Sequence, residues 1–479
     1  MNLRLDARIL GVLVASIGAF LLLPLGTALV YGEPIWPWLT SGIALVAVGG
    51  GVALLARPKE RTIRPRDAYL VVGAGWLLAS LAGAVPYVET GVLGPVDAFF
   101  ESVAGFTTTG STAMRRIEGT PHSLLLWRSL TQWVGGMGII LFTVAVLPLL
   151  GIGGMQLFRV EVPGPVKDKL QPRVIETARR LWFVYVGLTA LEIVALWLAG
   201  MDVFDAVNHG FTTLATGGFS TRDASIASFD SPLIEWIVIV FMLLAGVNFV
   251  HHYRLVTGAA GAVWRDFELR YYLGVLLVAS LVVWPFLPAA QAPTLEAGVR
   301  NAVFSVVSVT TTTGFGTVDF EKWVPLGQLV LLQLMILGGM AGSTAGGVKS
   351  LRVLIGFRAL GAAVRKLVHP HAVRPVKYGG RAVPDDVVAG IWAFFTAYFA
   401  IAAVAAATVA AMGYDLVTAV SSALTALGNV GPGLGQVGPY DNFSHMPAVV
   451  KLVLALCMLA GRLEVFTVLV ILQPAFWRR

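Results

Sequence analysis

The sequence TTTGST at residues 107–112 recurs in altered form as ATGGFS at 215–220, TTTGFG at 311–316 and GNVGPG at 428–433. Each stretch follows an alanine that is itself preceded by a residue able to cap a helix. These capping residues are Asp97, Asp205, Asn301 and Thr418. Thirteen residues after each of them comes a glycine: Gly110, Gly218, Gly314 and Gly431. A repeat at one fixed spacing predicts four copies of a single structural unit.

The chain around these stretches has the composition of a membrane protein. Of its 479 residues, 57% are hydrophobic and 13% are charged, against roughly 25% charged in soluble domains. Apolar runs of about 20 residues, enough to cross ~30 Å of hydrocarbon, recur throughout. The first run, Leu10–Tyr31, is too long for a signal peptide, so we expect no cleaved leader. Cys457 is the single cysteine, which excludes a disulfide within the chain and a cysteine metal cluster.

The basic residues are distributed unevenly. Of the 34 Lys and Arg residues, 26 lie at the termini or in the segments 57–66, 159–180, 254–270 and 349–381. This positive-inside pattern predicts that both termini and the four segments are on the cytoplasmic side of the membrane. The net charge of +7 therefore reports topology, and we expect no nucleic-acid partner.

The expected fold is an all-α polytopic membrane protein with ten spans. Two N-terminal spans precede four repeats of span, P-loop and span (M1–P-loop–M2), in a pseudo-fourfold arrangement around one pore. All four P-loops have the same sense, which disfavours an inverted-repeat transporter. The expected divisions are a hairpin at 1–66 and repeats at 67–158, 159–264, 265–381 and 382–479.

The four polar stretches suit a cation filter. Non-helical backbone at membrane depth is tolerated only inside protein or along a water-filled cavity. Four such strands around an axis would offer carbonyl oxygens in place of an ion's hydration shell, and each pore helix would direct its negative end at the ion. Between six residues before and three after each glycine there is no Asp or Glu. Ca²⁺ and Mg²⁺ are therefore disfavoured.

The side chains differ among the four strands, so only the backbone positions are common to all. This favours K⁺ at a site made of carbonyl groups, while the threonine hydroxyls either brace the strands or add one further oxygen site. The predicted filter residues are Thr108, Thr109, Gly110, Thr216, Gly217, Gly218, Thr312, Thr313, Gly314, Asn429, Val430 and Gly431. The first two residues of each strand are expected to hold K⁺.

The stretch GGMAGSTAGG at 338–347 interrupts the second span of the third repeat. Its five glycines make a poor helix, so it is either a packing kink or a flexible loop in the membrane. Its free carbonyls need donors, and Arg462 in the last span is the candidate. Glu464, two residues further on, does not share a helix face with Arg462. The predicted gate residues are Gly338, Gly339, Gly342, Ser343, Thr344, Gly346, Gly347 and Arg462.

Several other residues have less specific interpretations. Gly136, Gly246 and Gly461 in the second spans favour close helix packing. Glu101 either concentrates cations at the outer mouth or packs a helix. The histidines are expected to be interfacial or in a cytoplasmic loop, and not metal ligands: His251, His252, His369 and His371.

The motifs together resemble the Trk/Ktr/HKT superfamily of potassium and sodium transporters. Besides the filter stretches, the resemblance rests on AGVNFVHHY (245–253), GGMAGSTAGGVKSLRV (338–353), AGRLEVFTVLV (460–470) and the cytoplasmic stretch 161–182. The two extra N-terminal spans are similar to the bacterial Trk-type subunit (TrkH/TrkG-like). The resemblance implies K⁺ uptake, since glycine at all four filter positions accompanies K⁺ selectivity. It also implies a pore gated by the 338–347 loop.

The same resemblance implies partners. They are a second copy in a homodimer, membrane lipid, and a cytosolic ring of nucleotide-binding regulatory subunits (TrkA-like). Lys349, Arg352 and Arg358, which follow the loop, are expected to touch that ring. No nucleotide is expected on this chain, because the sequence has no phosphate-binding G-x-x-x-x-G-K-[ST] motif.

Two alternatives are left open by the sequence. One is a Na⁺-permeable or Na⁺-coupled member of the same superfamily. The other is an integral membrane enzyme, which would need paired carboxylates, an aspartate-rich metal motif or a histidine cluster. No such pattern is found, and Glu464 is expected to be the only acidic residue well inside a span. We therefore expect a protein that is not an enzyme.

Overall fold

The computed structural model describes residues 1–58, 64–145, 170–370 and 375–478. This part of the chain is mostly helical, and its strands form one antiparallel hairpin, Lys377–Tyr378 with Arg381–Ala382. Six unbroken stretches are apolar and long enough to cross a membrane: Leu3–Tyr31, Trp36–Leu55, Arg66–Glu89, Glu176–Leu198, Phe267–Phe286 and Asp385–Ala411. The protein is therefore a helical membrane protein.

Two N-terminal spans come first, one made of Leu3–Phe20 and Leu22–Tyr31, the other of Trp36–Leu55. Each of the four repeats then has a first helix, a pore helix and a second helix. The first helices are Pro65–Glu89, Leu170–Leu198, Phe267–Val283 and Asp385–Ala411. The pore helices are Pro95–Phe106, Val203–Leu214, Leu295–Thr310 and Leu416–Gly428.

The second helix is continuous in the described part of repeat 1 and broken in the other repeats. The pieces are His122–Ala145, then Pro232–Ala245 with Phe249–Val256, Pro325–Leu337 with Ser350–Val368, and Ala448–Arg462 with Phe466–Leu472. Short helices connect these elements: Ser225–Phe229, Ala260–Trp264, Trp284–Phe286, Ala289–Gln291, Phe320–Lys322 and Pro474–Trp477. The fold is the predicted one of four repeats around a pore with two additional N-terminal helices.

The second spans of repeats 2 and 4 are each predicted to be one continuous span. This prediction is wrong, because each span is broken into two helices. The two pieces meet at 100° in repeat 2 and at 114° in repeat 4. In repeat 2 the side chain of Asn248 accepts a hydrogen bond from the Val250 N–H at 2.9 Å, starting a new helix. In repeat 4 the break lies at Glu464, whose φ is +61° and whose carboxylate pairs with Arg352 of repeat 3.

The assignment of helix caps from the sequence is also wrong. The residues before the pore helices are Gly94, Asp202, Thr294 and Asp415. Asp97, Asp205 and Thr418 instead lie at the third helical position, while Asn301 lies two turns inside its helix. The pore helices begin earlier than the motif because Pro95 and the side chains of Asp202, Thr294 and Asp415 start them. The thirteen-residue spacing therefore connects a position inside each pore helix, and not its capping residue, with the filter glycine.

Some predictions fall outside the described residues. They include the end of the second span of repeat 1 (146–150) and the boundary between repeats 1 and 2 at 158/159. They also include the parts of the basic segment 159–180 and of the cytoplasmic stretch 161–182 that precede residue 170, and His371.

Buried side chains correct two further expectations. Glu192 in the first helix of repeat 2 is fully buried, so Glu464 is not the only acidic residue within a span. His251 and His252 are buried at the bend of repeat 2 and not interfacial, with the His252 ring nitrogen 2.8 Å from the Leu244 carbonyl oxygen. Within the described ranges no group of three or more His, Cys, Asp or Glu could hold a metal ion.

The second-helix glycines pack directly against the ends of the pore helices. A Cβ built on Gly136 would lie 2.8 Å from Ala215, and one on Gly246 would lie 2.8 Å from Thr311 Cγ2. One on Gly461 would lie 2.0 Å from the Leu427 carbonyl oxygen. These glycines therefore allow the second helices to support the filter from below.

The N-terminal hairpin is held by glycine contacts of the same kind. A Cβ on Gly49 would lie 2.5 Å from the backbone nitrogen of Ala15 and 2.5 Å from the carbonyl oxygen of Gly11. At the neighbouring Gly50 nothing lies within 4 Å of such a Cβ. The two helices thus approach through one glycine face.

We expect Gly49→Leu to destabilise the protein by ~1–3 kcal/mol, the usual range for overpacking. Thermal unfolding in detergent, followed by tryptophan fluorescence, measures the change. Gly50→Leu is the matched control and should leave the unfolding temperature unchanged or slightly higher, since leucine is the better helix former. Equal destabilisation by both variants would contradict the proposed packing.

Candidate ion filter and intramembrane loop

The four strands that follow the pore helices share one backbone conformation. The residue two before each glycine has a left-handed φ: 52° at Thr108, 53° at Thr216, 59° at Thr312 and 56° at Asn429. The glycines have φ of 80°, 74°, 81° and 103° in chain order. A left-handed threonine is uncommon because it is β-branched, and strain of this kind concentrates at functional sites. The same conformation at four equivalent positions, three of them threonine, marks these strands as one site.

The N–H groups of the strands are directed back to the pore helices. The residue before each glycine donates its N–H to the carbonyl five positions earlier. The distances are 2.8 Å for Thr109 to Ala104, 2.8 Å for Gly217 to Thr212, 2.9 Å for Thr313 to Ser308 and 3.0 Å for Val430 to Thr425. Since these donors are used within each unit, the strands present oxygen acceptors to their surroundings.

The four strands close into a ring. Each glycine lies against the carbonyl oxygen of the residue that precedes the glycine of the next strand. A Cβ would lie 2.0 Å from Gly217 O at Gly110, 1.9 Å from Thr313 O at Gly218, 2.1 Å from Val430 O at Gly314, and 2.7 Å from Thr109 O at Gly431. The fourth contact returns to the first strand, so the repeats surround a common axis in chain order.

Charged groups around the ring are paired behind it. Arg128 Nε donates to Glu101 at 2.9 Å and both side chains are buried, so Glu101 packs the first pore helix and does not face the outer mouth. Three others lie within or between the repeats. They are Arg222 with Asp205 at 2.5 Å, Arg300 with Glu235 at 2.6 Å, and Lys451 with Asp97 at 2.6 Å. The ring itself is left to backbone dipoles.

The outer mouth is a small cavity of about 120 Å³ above the four glycines. Its wall includes Gly438 and Asp441, and a Cβ on Gly438 would lie 2.5 Å from the Glu321 carboxyl carbon. Burial, followed by the charges of Asp441 and Asp319, raises the pKa of Glu321 to about 7. One carboxyl beside the mouth therefore titrates near neutral pH.

We expect Glu321 to make the folded protein less stable as pH rises from about 4.5 to about 7. Its pKa is higher in the folded protein than the ordinary 4.5, so the native state binds the extra proton in this interval. Glu321→Gln should therefore unfold at a progressively higher temperature than the unaltered protein between pH 5 and 8. Glu118→Gln, at an exposed position, is the control. A pH-independent difference for Glu321→Gln would contradict the assignment.

The helix of repeat 3 is interrupted at Gly338 and resumes at Ser350, where the sequence predicts the break. The intervening loop binds to the filter strand of its own repeat and to the lower ends of the pore helices of repeats 2 and 4. The Gly346 N–H donates to Thr312 Oγ1 at 2.7 Å, and the Gly347 N–H donates to the Gly428 carbonyl at 2.8 Å. Thr344 Oγ1 donates to the Leu214 carbonyl at 3.0 Å. The loop thus lies directly beneath the filter.

Other loop residues hold its shape. Gly338, Gly342 and Gly347 have φ of 70°, 79° and 71°, which only glycine adopts freely. The Ser343 hydroxyl donates to the Met340 carbonyl at 2.6 Å. A Cβ on Gly339 would lie 2.6 Å from Ala345 Cβ. The stretch is therefore a defined loop and not a kink in one helix.

Arg462 lies against this loop. Its Nη1 donates to the Thr344 carbonyl at 2.7 Å and its Nη2 reaches the Gly135 carbonyl at 3.3 Å. The side chain is 2% exposed. Glu464 pairs with Arg352 instead, as expected from the two-residue separation. Arg462 therefore joins the loop to the second helices of repeats 1 and 4.

Two side chains on the second helix of repeat 1 contact the second filter strand, and neither is among the predicted site residues. Arg128 donates to the Ser220 carbonyl at 3.0 Å, and Gln132 contacts the second filter strand at Gly217. The available signal was a polar residue at helical spacing within an otherwise apolar span, directly before WVGGMG.

Four re-entrant strands in a ring within a helical membrane chain define a pore-loop transport protein. The family model described as "TrkH: Cation transport protein" matches residues 38–479, so the chain belongs to the TrkH family. This confirms the resemblance seen in the motifs. The family is one of transporters and not of enzymes.

Relatives match over their whole length. The chain is 42% identical over 487 residues to the Trk system potassium uptake protein TrkH of Escherichia coli K12, with 100% of both chains covered. It is 34% identical to TrkG of the same organism, covering 100% of this chain and 99% of the relative. The crystal structure of the potassium transporter TrkH from Vibrio parahaemolyticus superposes with a TM-score of 0.90 at 37% identity, covering both chains completely.

Proposed function

We propose that the chain conducts K⁺ into the cell across the cytoplasmic membrane, through a site made of backbone carbonyls from the four filter strands. The closed ring of glycine and carbonyl contacts supports this most directly. Oxygen acceptors without opposing donors suit a dehydrated cation. The relatives named above are potassium uptake proteins, which favours K⁺ as the ion.

We propose the predicted twelve filter residues as the ion site, with the two residues before each glycine closest to K⁺. Neutral side chains and a buried Glu101 leave no carboxylate ring to attract Ca²⁺ or Mg²⁺. The hydroxyls of strands 1 and 3 have a bracing role. Thr107 and Thr109 are 2.7 Å apart through their Oγ1 atoms, and Thr311 and Thr313 are 2.8 Å apart.

The 338–347 loop is the proposed gate. It binds to strand 3 and to pore helices 2 and 4 on the side away from the outer mouth, so an ion leaving the filter meets it first. Arg462 holds the loop in this position through Thr344. The glycines permit the backbone rearrangement that opening requires.

Regulation is assigned to separate partners. We propose a homodimer, each copy with its own pore, bound to a cytosolic nucleotide-binding ring of the TrkA-like kind. The basic residues that follow the gate loop support a cytoplasmic position for this side of the protein, where the ring would bind. We propose that both termini are also in the cytoplasm, with the protein in a bacterial inner membrane. We also propose that the repeats comprise residues 67–158, 159–264, 265–381 and 382–479, after an N-terminal hairpin at 1–66.

Flux into proteoliposomes measured separately with K⁺, Rb⁺ and Na⁺ tests the function. We expect K⁺ and Rb⁺ to enter with similar rates and Na⁺ to enter at least about tenfold more slowly. Equal Na⁺ entry would establish the Na⁺-permeable alternative. Absence of any cation flux, with and without the cytosolic partner, would contradict the pore.

A further inference from the structure

The four filter strands are braced in different ways. In strands 1 and 3 the residues three and one before the glycine are both threonine, and their hydroxyls bond to each other. Strand 4 is held by Asn429, whose amide Nδ2 lies 2.9 Å from Thr109 Oγ1 and 2.9 Å from the Met458 carbonyl oxygen. Strand 2 has Ala215 and Gly217 at the threonine positions, so it has no hydroxyl pair.

Gln132 occupies the place of the missing pair. Its Nε2 donates to the Gly217 carbonyl at 2.7 Å, and its Oε1 accepts the Phe219 N–H at 3.1 Å. The orientation of the amide is determined by these partners, because a carbonyl can only accept and an N–H can only donate. The side chain is fully buried. Gln132 therefore bonds to the residues on both sides of the filter glycine, Gly218, from outside the ring.

The space at Gly217 is filled by the same side chain. A Cβ on Gly217 would lie 2.3 Å from the Gln132 carboxamide carbon. The glycine in strand 2 and the glutamine in the second helix thus depend on each other. The positions equivalent to Gln132, four residues before Gly246, Gly339 and Gly461, are Met242, Met335 and Cys457. The polar brace belongs to one repeat.

We propose that Gln132 is a positioning residue that determines cation selectivity by fixing the carbonyl of Gly217. This inference rests on the proposed K⁺ function. The carbonyl has two lone pairs, so the hydrogen bond from Gln132 leaves one for a cation. Without the brace, the Gly217 peptide has no side chain to limit its rotation, because glycine is the least restricted residue.

The test compares Gln132→Met and Gln132→Leu with Met242→Leu as the matched control. Both Gln132 variants remove the two hydrogen bonds while retaining a side chain of similar volume. We expect the K⁺-to-Na⁺ flux ratio in proteoliposomes to fall about tenfold in both. The control should keep the ratio of the unaltered protein. Thermal stabilisation by K⁺ over Na⁺ should weaken in parallel, which a packing defect alone would not cause.

The outcomes separate the two proposals. If the unaltered protein does not select K⁺, the proposed function fails. If it does, and the Gln132 variants retain the full ratio or Met242→Leu loses as much, only the role of Gln132 is overturned. If the variants fold poorly, hydrogen exchange in the unaltered protein tests the brace instead. The Phe219 amide should be strongly protected from exchange, and rapid exchange there would overturn the brace.

Discussion

Replacing Gly218 with alanine is expected to lower K⁺ uptake by about 10- to 100-fold, because an overpacked contact costs ~1–3 kcal/mol and each ~1.4 kcal/mol is a factor of ten. The new Cβ would lie 1.9 Å from the Thr313 carbonyl oxygen. Either this carbonyl or the whole third strand must move, and the ring of four opens at that point. Uptake of Rb⁺ into proteoliposomes at matched protein content measures the loss.

The control separates the contact from the backbone conformation. Gly119 also has a positive φ, of 89°, but nothing lies within 4 Å of a Cβ built there. Gly119→Ala therefore carries only the ~1–2 kcal/mol cost of a left-handed alanine, and it should leave uptake close to normal. Similar uptake by Gly218→Ala and Gly119→Ala would show that the ring contact is not needed for conduction.

Replacing Arg462 with alanine is expected to raise K⁺ flux about tenfold when no cytosolic partner is present. The change removes the bonds to the Thr344 and Gly135 carbonyls. Bonds from charged donors contribute ~1.5–3 kcal/mol each, and their loss disfavours the loop position beneath the filter. Tracer flux at fixed protein content, with and without the partner, measures the shift.

Thr344→Val tests the same loop through the hydrogen bonds of the Thr344 hydroxyl. The Thr344 hydroxyl bonds to the Leu214 carbonyl at 3.0 Å and to that of Ala245 at 3.2 Å. Its loss should raise flux in the same direction as Arg462→Ala. Arg365→Ala, an exposed residue on the helix after the loop, is the control. Unchanged flux in both Arg462→Ala and Thr344→Val would remove the loop from gating.

The repeat and its spacing could be predicted because each pore unit is local in sequence. A pore helix, a polar strand and the glycine that ends it lie within about 20 residues, so periodicity and residue type predict them. The break at Gly338 was visible for the same reason, since clustered glycines oppose a helix.

The contacts between repeats could not be predicted in the same way. Glu464 pairs with Arg352 across 112 positions and Gln132 bonds to Gly217 across 85. Neither pair has a local pattern. The pore helices also begin one to two turns before the predicted caps, because Asp202, Thr294 and Asp415 are equally good capping residues. The bend at Asn248 depends on a cap and on the Gly342 carbonyl from another repeat.

The most direct test of the central claim is an experimental density map of the protein in Rb⁺, compared with one in Na⁺. We expect Rb⁺ density on the axis at the level of the carbonyls of Thr109, Gly217, Thr313 and Val430. In Na⁺ the density at that level should be weaker or absent. An axis without ion density in Rb⁺, or equal density in both salts, would contradict a K⁺-selective carbonyl site.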